Sequence, residues 1–318
     1  MAPAELAQSL ECVLERADAE HLSDPQLHRS YRYCRQLNAR HGKTFFLATR
    51  LLAPDQRPAV HALYGFARRA DDILDEFDPR RGTAERAREL DALAGHFRER
   101  RATADAVLPA VVDTADRYGI PAVLFDAFLA SMRMDLSVTA YSDRAALDTY
   151  IYGSAEVIGL QLLPVLGTSC ANEAAPYAAA LGKAFQLTNF LRDVGEDLLR
   201  DRVYLPADEL AAFGVDGDLP HWCLAHQRTD SRVRWALAIQ CALTRDIYRF
   251  ARAEIALLHP RSRPCVTTAT TLYSEILDRI EDSDFAVFDR RATVPNRRRA
   301  QVGITGLVKA WWARRVDR

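Results

Sequence analysis

Two stretches of this chain carry acidic side chains at the spacing of helical turns. The first reads Tyr64-Gly-Phe-Ala-Arg68-Arg69-Ala-Asp71-Asp72-Ile-Leu-Asp75-Glu76. Asp71 and Asp75 are four residues apart, so a helix stacks them on one face with Cβ atoms roughly 5–6 Å apart, Tyr64 and Arg68 on the turns below. Two ionised carboxylates about 6 Å apart repel by roughly 3 kcal/mol at an effective dielectric near 20, a cost that a divalent cation removes. A solvated acidic helix end explains this segment equally well. The second stretch reads Phe185-Gln186-Leu-Thr-Asn189-Phe190-Leu-Arg192-Asp193-Val-Gly-Glu196-Asp197. Gln186, Asn189, Asp193 and Asp197 form one stripe of a helix whose other side, Leu187, Phe190, Leu191 and Val194, is apolar. A carboxylate stripe on such a mid-chain helix is a poor solvent face. Oxygen donors from Asn and Asp at this spacing suit Mg²⁺, with Mn²⁺ as a substitute, and no His/Cys cluster of the zinc kind accompanies them.

Two such helices set face to face would hold several Mg²⁺ ions, and what binds there is itself polyanionic, a diphosphate. Diphosphate oxygens also need fixed donors. Lys43, Arg50, Arg68, Arg192 and Arg202 lie in or near the two stretches, and Arg290, Arg291 and Arg297 to Arg299 lie in the tail.

Helices are the elements that must position these groups. Leu124, Phe125, Phe128, Leu129, Met132 and Leu136 trace one apolar stripe, and Leu237, Cys241, Thr244, Tyr248, Ala251 and Ile255 another. Asp24-Pro25 has the form of an N-cap followed by proline at the first helical position. Asp78 to Thr83, Thr139 to Arg144, Gly167 to Pro176, Leu205 to Pro220 and His259 to Pro264 punctuate the pattern, and none is a long polar linker. No alternating strand pattern appears. The expectation is one all-α domain over residues 1–318 with about ten to twelve helices, a core from 31 to 299 and a basic C-terminal helix over 296–316.

Composition narrows the class. With 318 residues, 49% hydrophobic and 27% charged, the chain can bury a core. A net charge of -1 supplies no global field for nucleic acid, so none is expected as a partner. From Ala286 onward, however, nine Lys or Arg face two Asp. That tail, with Leu307, Val308, Trp311 and Trp312 among Lys309, Arg314 and Arg315, has the makings of a peripheral membrane contact or of a terminal helix packed on the body. Six widely spaced cysteines with no C-x-x-C pair suggest a reducing, cytoplasmic compartment. The longest apolar run, Val157 to Leu166, is about half a membrane span.

At the level of motifs the chain resembles the squalene/phytoene synthase family. The resemblance rests on His41-Gly-Lys43-Thr-Phe45-Phe46-Leu47-Ala48, Ala62-Leu63-Tyr64 with Arg68 to Glu76, and Gln186 to Asp197 followed by Arg202-Val-Tyr204-Leu-Pro206. Met132-Arg133-Met134-Asp135-Leu136, Tyr152-Gly153-Ser154-Ala155 with Gly159, Tyr273 and Arg290-Arg291 extend it over roughly 31–299, and it is most similar to the bacterial phytoene synthases. The resemblance implies an isoprenoid synthase fold, helices around an apolar tunnel with both aspartate motifs at its mouth. It implies Asp71, Asp75, Asn189, Asp193 and Asp197 as the Mg²⁺ set, with Tyr64 and Arg68 beside them in the catalytic group. It implies His41, Lys43, Tyr152, Gln186, Asn189, Arg192, Arg202, Tyr273, Arg290 and Arg291 as substrate contacts.

The implied reaction joins two geranylgeranyl diphosphates head to head into phytoene through a cyclopropylcarbinyl diphosphate, without NADPH, and a desaturase would receive the product. Phe45, Tyr64, Phe185 and Tyr152 are candidates to shelter the cations. Open alternatives are a squalene, dehydrosqualene or presqualene diphosphate synthase using farnesyl diphosphate, a terpene cyclase or head-to-tail prenyl synthase, and a non-catalytic lipid-binding or assembly-factor relative. Two departures stand out: Gly42 and Thr44 where the family often has serines, and Glu156 where a small residue is expected.

Overall fold

The computed structural model describes residues 24–75, 82–100 and 105–316, except the side chains of Asp75, Glu254 and Val316. Glu76, most of the first punctuating stretch and Cys12 lie outside the described residues. α1 (Pro25–His41) starts as its sequence dictates: the Asp24 carboxylate accepts from the Gln26 amide at 2.8 Å, and proline takes the first helical position. Gly42 separates it from α2 (Lys43–Thr49), and α3 (Arg57–Asp75) carries the first acidic stretch. α4 (Thr83–Arg98), α5 (Leu108–Tyr118) and α6 (Ala122–Met134) follow. α7 (Arg144–Ile151) runs through a π turn over Tyr152–Glu156 into α8 (Val157–Leu166). α9 (Ala171–Leu198) is 28 residues long and carries the second acidic stretch.

The remaining helices are α10 (Ala207–Ala211), α11 (Asp218–His226), α12 (Ser231–Ala251), α13 (Glu254–Leu257), α14 (Arg263–Asp282) and α15 (Asn296–Val316). Among the described residues there are fifteen helices and no strand, more pieces than the apolar periodicity suggested. The surplus is short: α10 and α13 are single turns inside or next to punctuated stretches, too brief for a periodic signal. Pro176, expected in a loop, is the sixth residue of α9, past the first turn, where it leaves the Asn172 carbonyl without its intrahelical donor; the tertiary packing of this long helix overrides that local cost.

Both predicted stripes are core faces. Phe125, Phe128, Leu129 and Met132 are buried on α6, and Leu237, Cys241, Thr244, Tyr248 and Ala251 on α12. Two main apolar clusters result. One gathers α9, α12 and α14 with Leu51 and Leu52; the other gathers α1, α3, α5 and α6 around Phe66, Phe97, Phe125 and Phe128. Val60 and Leu162 pack against both, so α3 and α8 form the seam. Along α9 the packing is closer than side chains allow. A Cβ on Gly159 would stand 2.2 Å from the Ala178 carbonyl oxygen, and one on Gly182 would stand 2.3 Å from that of Ala155. Only hydrogen fits at these two crossings, which draws α8 and the π turn against the helix that bears Asn189 and Asp193.

Candidate active site

A cavity of about 310 Å³ opens along the seam, lined by residues from both clusters. Its walls are apolar: Ala48 and Leu52 at the α2 side, Val60 and Leu63 from α3, Ile158 and Leu162 from α8, Leu181 and Phe185 from α9, Val266 and Ala269 from α14. Its polar groups are few. Tyr64 and Asp71 enter from α3 and Gln186 and Asn189 from α9, so the two acidic helices do meet on one space.

Aromatic rings roof it. Phe45 and Phe185 line it edge-on to each other, 5.7 Å between ring centroids, and Tyr273 backs both with a tilted ring, 4.6 Å from Phe185 and 4.9 Å from Phe45. Tyr273 is buried, which pushes its phenol up, while the hydrogen bond from Arg192 and that residue's charge act the other way. Burial likewise pushes the Tyr64 phenol up to about 12, so both stay neutral at ordinary pH.

The carboxylates are unequal. Asp197 sits over a small apolar void of about 30 Å³ shared with Phe190, Val194 and Phe288. Burial first, and the Asp193 charge one turn away second, push its carboxyl up to about 7. Asp193 is held by two guanidinium forks. Arg192 donates to it at 2.7 and 2.5 Å, and Arg291 reaches it from the tail at 2.8 and 3.0 Å, with Glu196 3.6 Å from Arg291. Asn189 Oδ1 is buried with no hydrogen-bond partner. An orphaned carbonyl oxygen on Asn189 and an Asp197 carboxyl pushed toward its neutral form are what a hard divalent ion would relieve, and Asp193 could join them once its arginines turn to a phosphate, so the donor set fits Mg²⁺. Among the described residues no three Asp, Glu, His or Cys side chains converge as a ready-made cage. Asp75 ends α3 one turn beyond Asp71, and its side chain lies outside the described residues.

Other expected contacts fall in different places. Arg68 pairs with Asp72 at 2.5 Å rather than standing free for a phosphate. His41 and Lys43 are exposed and do not line the cavity, and slight desolvation and then the Arg68 and Arg40 charges hold the His41 imidazole below its usual range. Arg290 is exposed. Tyr152 is 46% exposed and does not line the cavity: Ser154, Ala155, Ile158 and Gly159 form the inward stripe, which turns Tyr152 to the solvent side. Arg202 is engaged elsewhere. It donates to Asp135 Oδ1 and the Asp135 carbonyl, both at 2.8 Å, and to the Tyr204 hydroxyl at 2.9 Å, with Tyr150 donating to Asp135 at 2.9 Å. Its backbone amide returns to the Asp197 carbonyl at 3.0 Å, so this buried network anchors the chain just beyond the second acidic stretch. Glu156 faces Lys183 at 4.0 Å and stays out of the cavity lining.

Two polar lining residues were given no role by the motif reading: Asn38, which no motif contained, and Ser154, which was quoted only as part of one. Asn38 Oδ1 and Ser154 Oγ are buried without partners, like Asn189 Oδ1, and all three residues line the cavity. Asn38 Nδ2 donates to His61 Nδ1 at 3.0 Å, and burial holds that imidazole down to about 3, hence neutral. The available signal was an asparagine on the otherwise apolar Tyr31, Cys34, Asn38 stripe of α1.

The family model described as squalene/phytoene synthase matches residues 38–298, from the Asn38 turn to the start of α15. The chain belongs to the squalene/phytoene synthase family. A phytoene synthase of Arthrospira platensis is 38% identical over 285 residues, covering 84% of this chain and 88% of its own. A 15-cis-phytoene synthase of Synechococcus elongatus is 37% identical over 287 residues, covering 86% and 91%. Among solved structures, a dehydrosqualene synthase in complex with ligand superposes with a TM-score of 0.78 at 27% identity, over 88% of this chain and 96% of that one. A squalene synthase from Alicyclobacillus acidocaldarius shares the fold, with a TM-score of 0.72 at 24% identity over 82% and 97%. As a member of this family the chain has the all-α isoprenoid synthase fold and is a prenyl-transferring enzyme.

Proposed function

We propose that this family member joins two geranylgeranyl diphosphates head to head, through a cyclopropylcarbinyl diphosphate, to phytoene and two diphosphates. The observation that carries the reading is one apolar cavity on which polar residues from both acidic helices meet, Asp71 on α3 and Gln186 and Asn189 on α9. The phytoene synthases at 37–38% identity support this product over the squalene class, whose structural relative stands at 27%.

Asp71, Asn189, Asp193 and Asp197, with Asp75, would hold Mg²⁺ or Mn²⁺, which neutralises the leaving diphosphate and eases ionisation of the allylic C–O bond. The chain's own residues do the rest. Arg192 and Arg291, whose forks meet on Asp193, would turn to the phosphate oxygens, joined by the exposed Lys43, His41 and Arg290. Prenyl tails lie along Leu52, Leu63, Ile158 and Leu162. Phe45, Phe185 and Tyr273 exclude water and turn π faces to the allylic cation, so loss of a proton competes with capture by water. Proton loss needs no reductant, so no NADPH enters.

The enzyme works in the cytoplasm on lipid-like diphosphates, in peripheral contact with membrane, and passes its hydrocarbon to a desaturase. Among the described residues no helix is long and apolar enough to cross a membrane. Replacing Asp193 by asparagine removes the carboxylate on which the Arg192 and Arg291 forks converge. Hydrocarbon formation from geranylgeranyl diphosphate should fall below detection while the circular-dichroism melt stays near wild type; retained turnover would refute the assignment.

A further inference from the structure

α15 has two unlike faces. Its inner stripe is built for close packing: a Cβ on Gly303 would stand 3.3 Å from Leu47, and one on Gly306 would stand 2.6 Å from both Leu51 and Thr268. Ala310 is fully buried, Arg299 donates to Thr44 Oγ1 at 2.6 Å and Arg314 donates to the Leu52 carbonyl at 3.3 Å. The helix is thus clamped against α14 and against the α2 segment with Leu51 and Leu52 after it, and the other side of that segment presents Phe45, Ala48 and Thr49 to the cavity. On the outer face Ile304, Leu307, Val308, Trp311 and Trp312 are each between 45% and 62% exposed. Arg315 lies over the Trp311 ring, 3.7 Å from its centroid. From Arg290 to Val316 the chain has eight Lys or Arg and no acidic residue, in a protein whose net charge is -1.

We propose that this outer face docks on an anionic lipid bilayer, with Trp311, Trp312, Leu307 and Ile304 in the headgroup boundary and Lys309 and Arg315 on lipid phosphates. Charge decides the occupant. A second copy meeting this face isologously would oppose two acid-free basic helices, which repel. Bilayer headgroups supply the anions that the helix lacks, and paired tryptophans beside cations are suited to that boundary. Docking brings α2, and with it one wall of the cavity, toward the lipid, giving a hydrocarbon a short path out. That last step rests on the proposed reaction; the docking does not.

The test is flotation of the full chain with phosphatidylcholine vesicles, with and without phosphatidylglycerol. The protein should float only with phosphatidylglycerol and be released by high salt. Lys309→Ala and Arg315→Ala should each weaken partition about fivefold, and Trp311→Glu/Trp312→Glu should abolish it. These variants should keep wild-type melts and wild-type hydrocarbon formation from detergent-dispersed substrate, because none touches the cavity. The proposal is overturned if phosphatidylglycerol vesicles leave the protein behind, or if the tryptophan variant floats like wild type. It is equally overturned if light scattering finds a lipid-free dimer that this variant dissolves. Flotation without hydrocarbon formation would reject the reaction and keep the docking.

Discussion

Replacing Asp197 by asparagine should stabilise the metal-free protein at high pH. The Asp197 carboxyl titrates at about 7 in the fold against 3.8 in a free side chain, chiefly because it is buried and secondly because Asp193 lies one turn away. Between those two pH values the unfolded chain has released its proton while the folded chain keeps it, so folding stability falls as pH rises. Three units at about 1.36 kcal/mol each set an upper limit of ~4 kcal/mol above pH 7, and solvent at the mouth should leave about 2 kcal/mol of it. Asparagine keeps the shape and never ionises. Urea unfolding in EDTA should show the variant and wild type nearly equal at about pH 4 and the variant about 2 kcal/mol more stable at about pH 8. Added Mg²⁺ should narrow the gap, because the cation binds the wild-type carboxylate in the folded state only. A variant no more stable than wild type at the higher pH would refute the reasoning.

Other substitutions test the scaffold. Arg202→Met leaves the Asp135 carboxylate, whose side chain is 8% exposed, without its cation; the loss should be about 3–5 kcal/mol by urea midpoint, largely restored by Asp135→Asn in the same chain. Gly159→Ala puts a methyl 2.2 Å from the Ala178 carbonyl and should lower the melting temperature by an amount worth about 1–3 kcal/mol. Phe185→Ala removes the ring between Phe45 and Tyr273; mass analysis should find prenyl alcohol rising at the expense of hydrocarbon as water reaches the cation.

Periodicity carried much of the architecture because the stripes on α6 and α12 are amphipathic over several turns and their buried faces leave a plain signal. It failed where local length is the issue: α10 and α13 are single turns. The Tyr152 contact came from the resemblance, and the register of α7, which buries Leu147, Tyr150 and Ile151, turns Tyr152 outward. The acidic stripes were legible as pairs at helical spacing, and the cavity joins residues of both. What a linear reading does not contain is who answers a charge across space. Arg202 looked like a phosphate donor and answers Asp135, while Arg291, 98 residues from Asp193, reaches it directly. Asn38 drew no attention and Ser154 no role because a single polar residue in an apolar stripe acquires meaning only when its oxygen is found facing a cavity with no donor.

The most direct measurement is the product formed by the purified protein with Mg²⁺ from geranylgeranyl diphosphate, set beside a farnesyl diphosphate reaction without NADPH and identified by mass. The account predicts phytoene from the first, with two diphosphates released per molecule and none after EDTA. A hydrocarbon from farnesyl diphosphate alone, or phytoene that persists in EDTA, would contradict it.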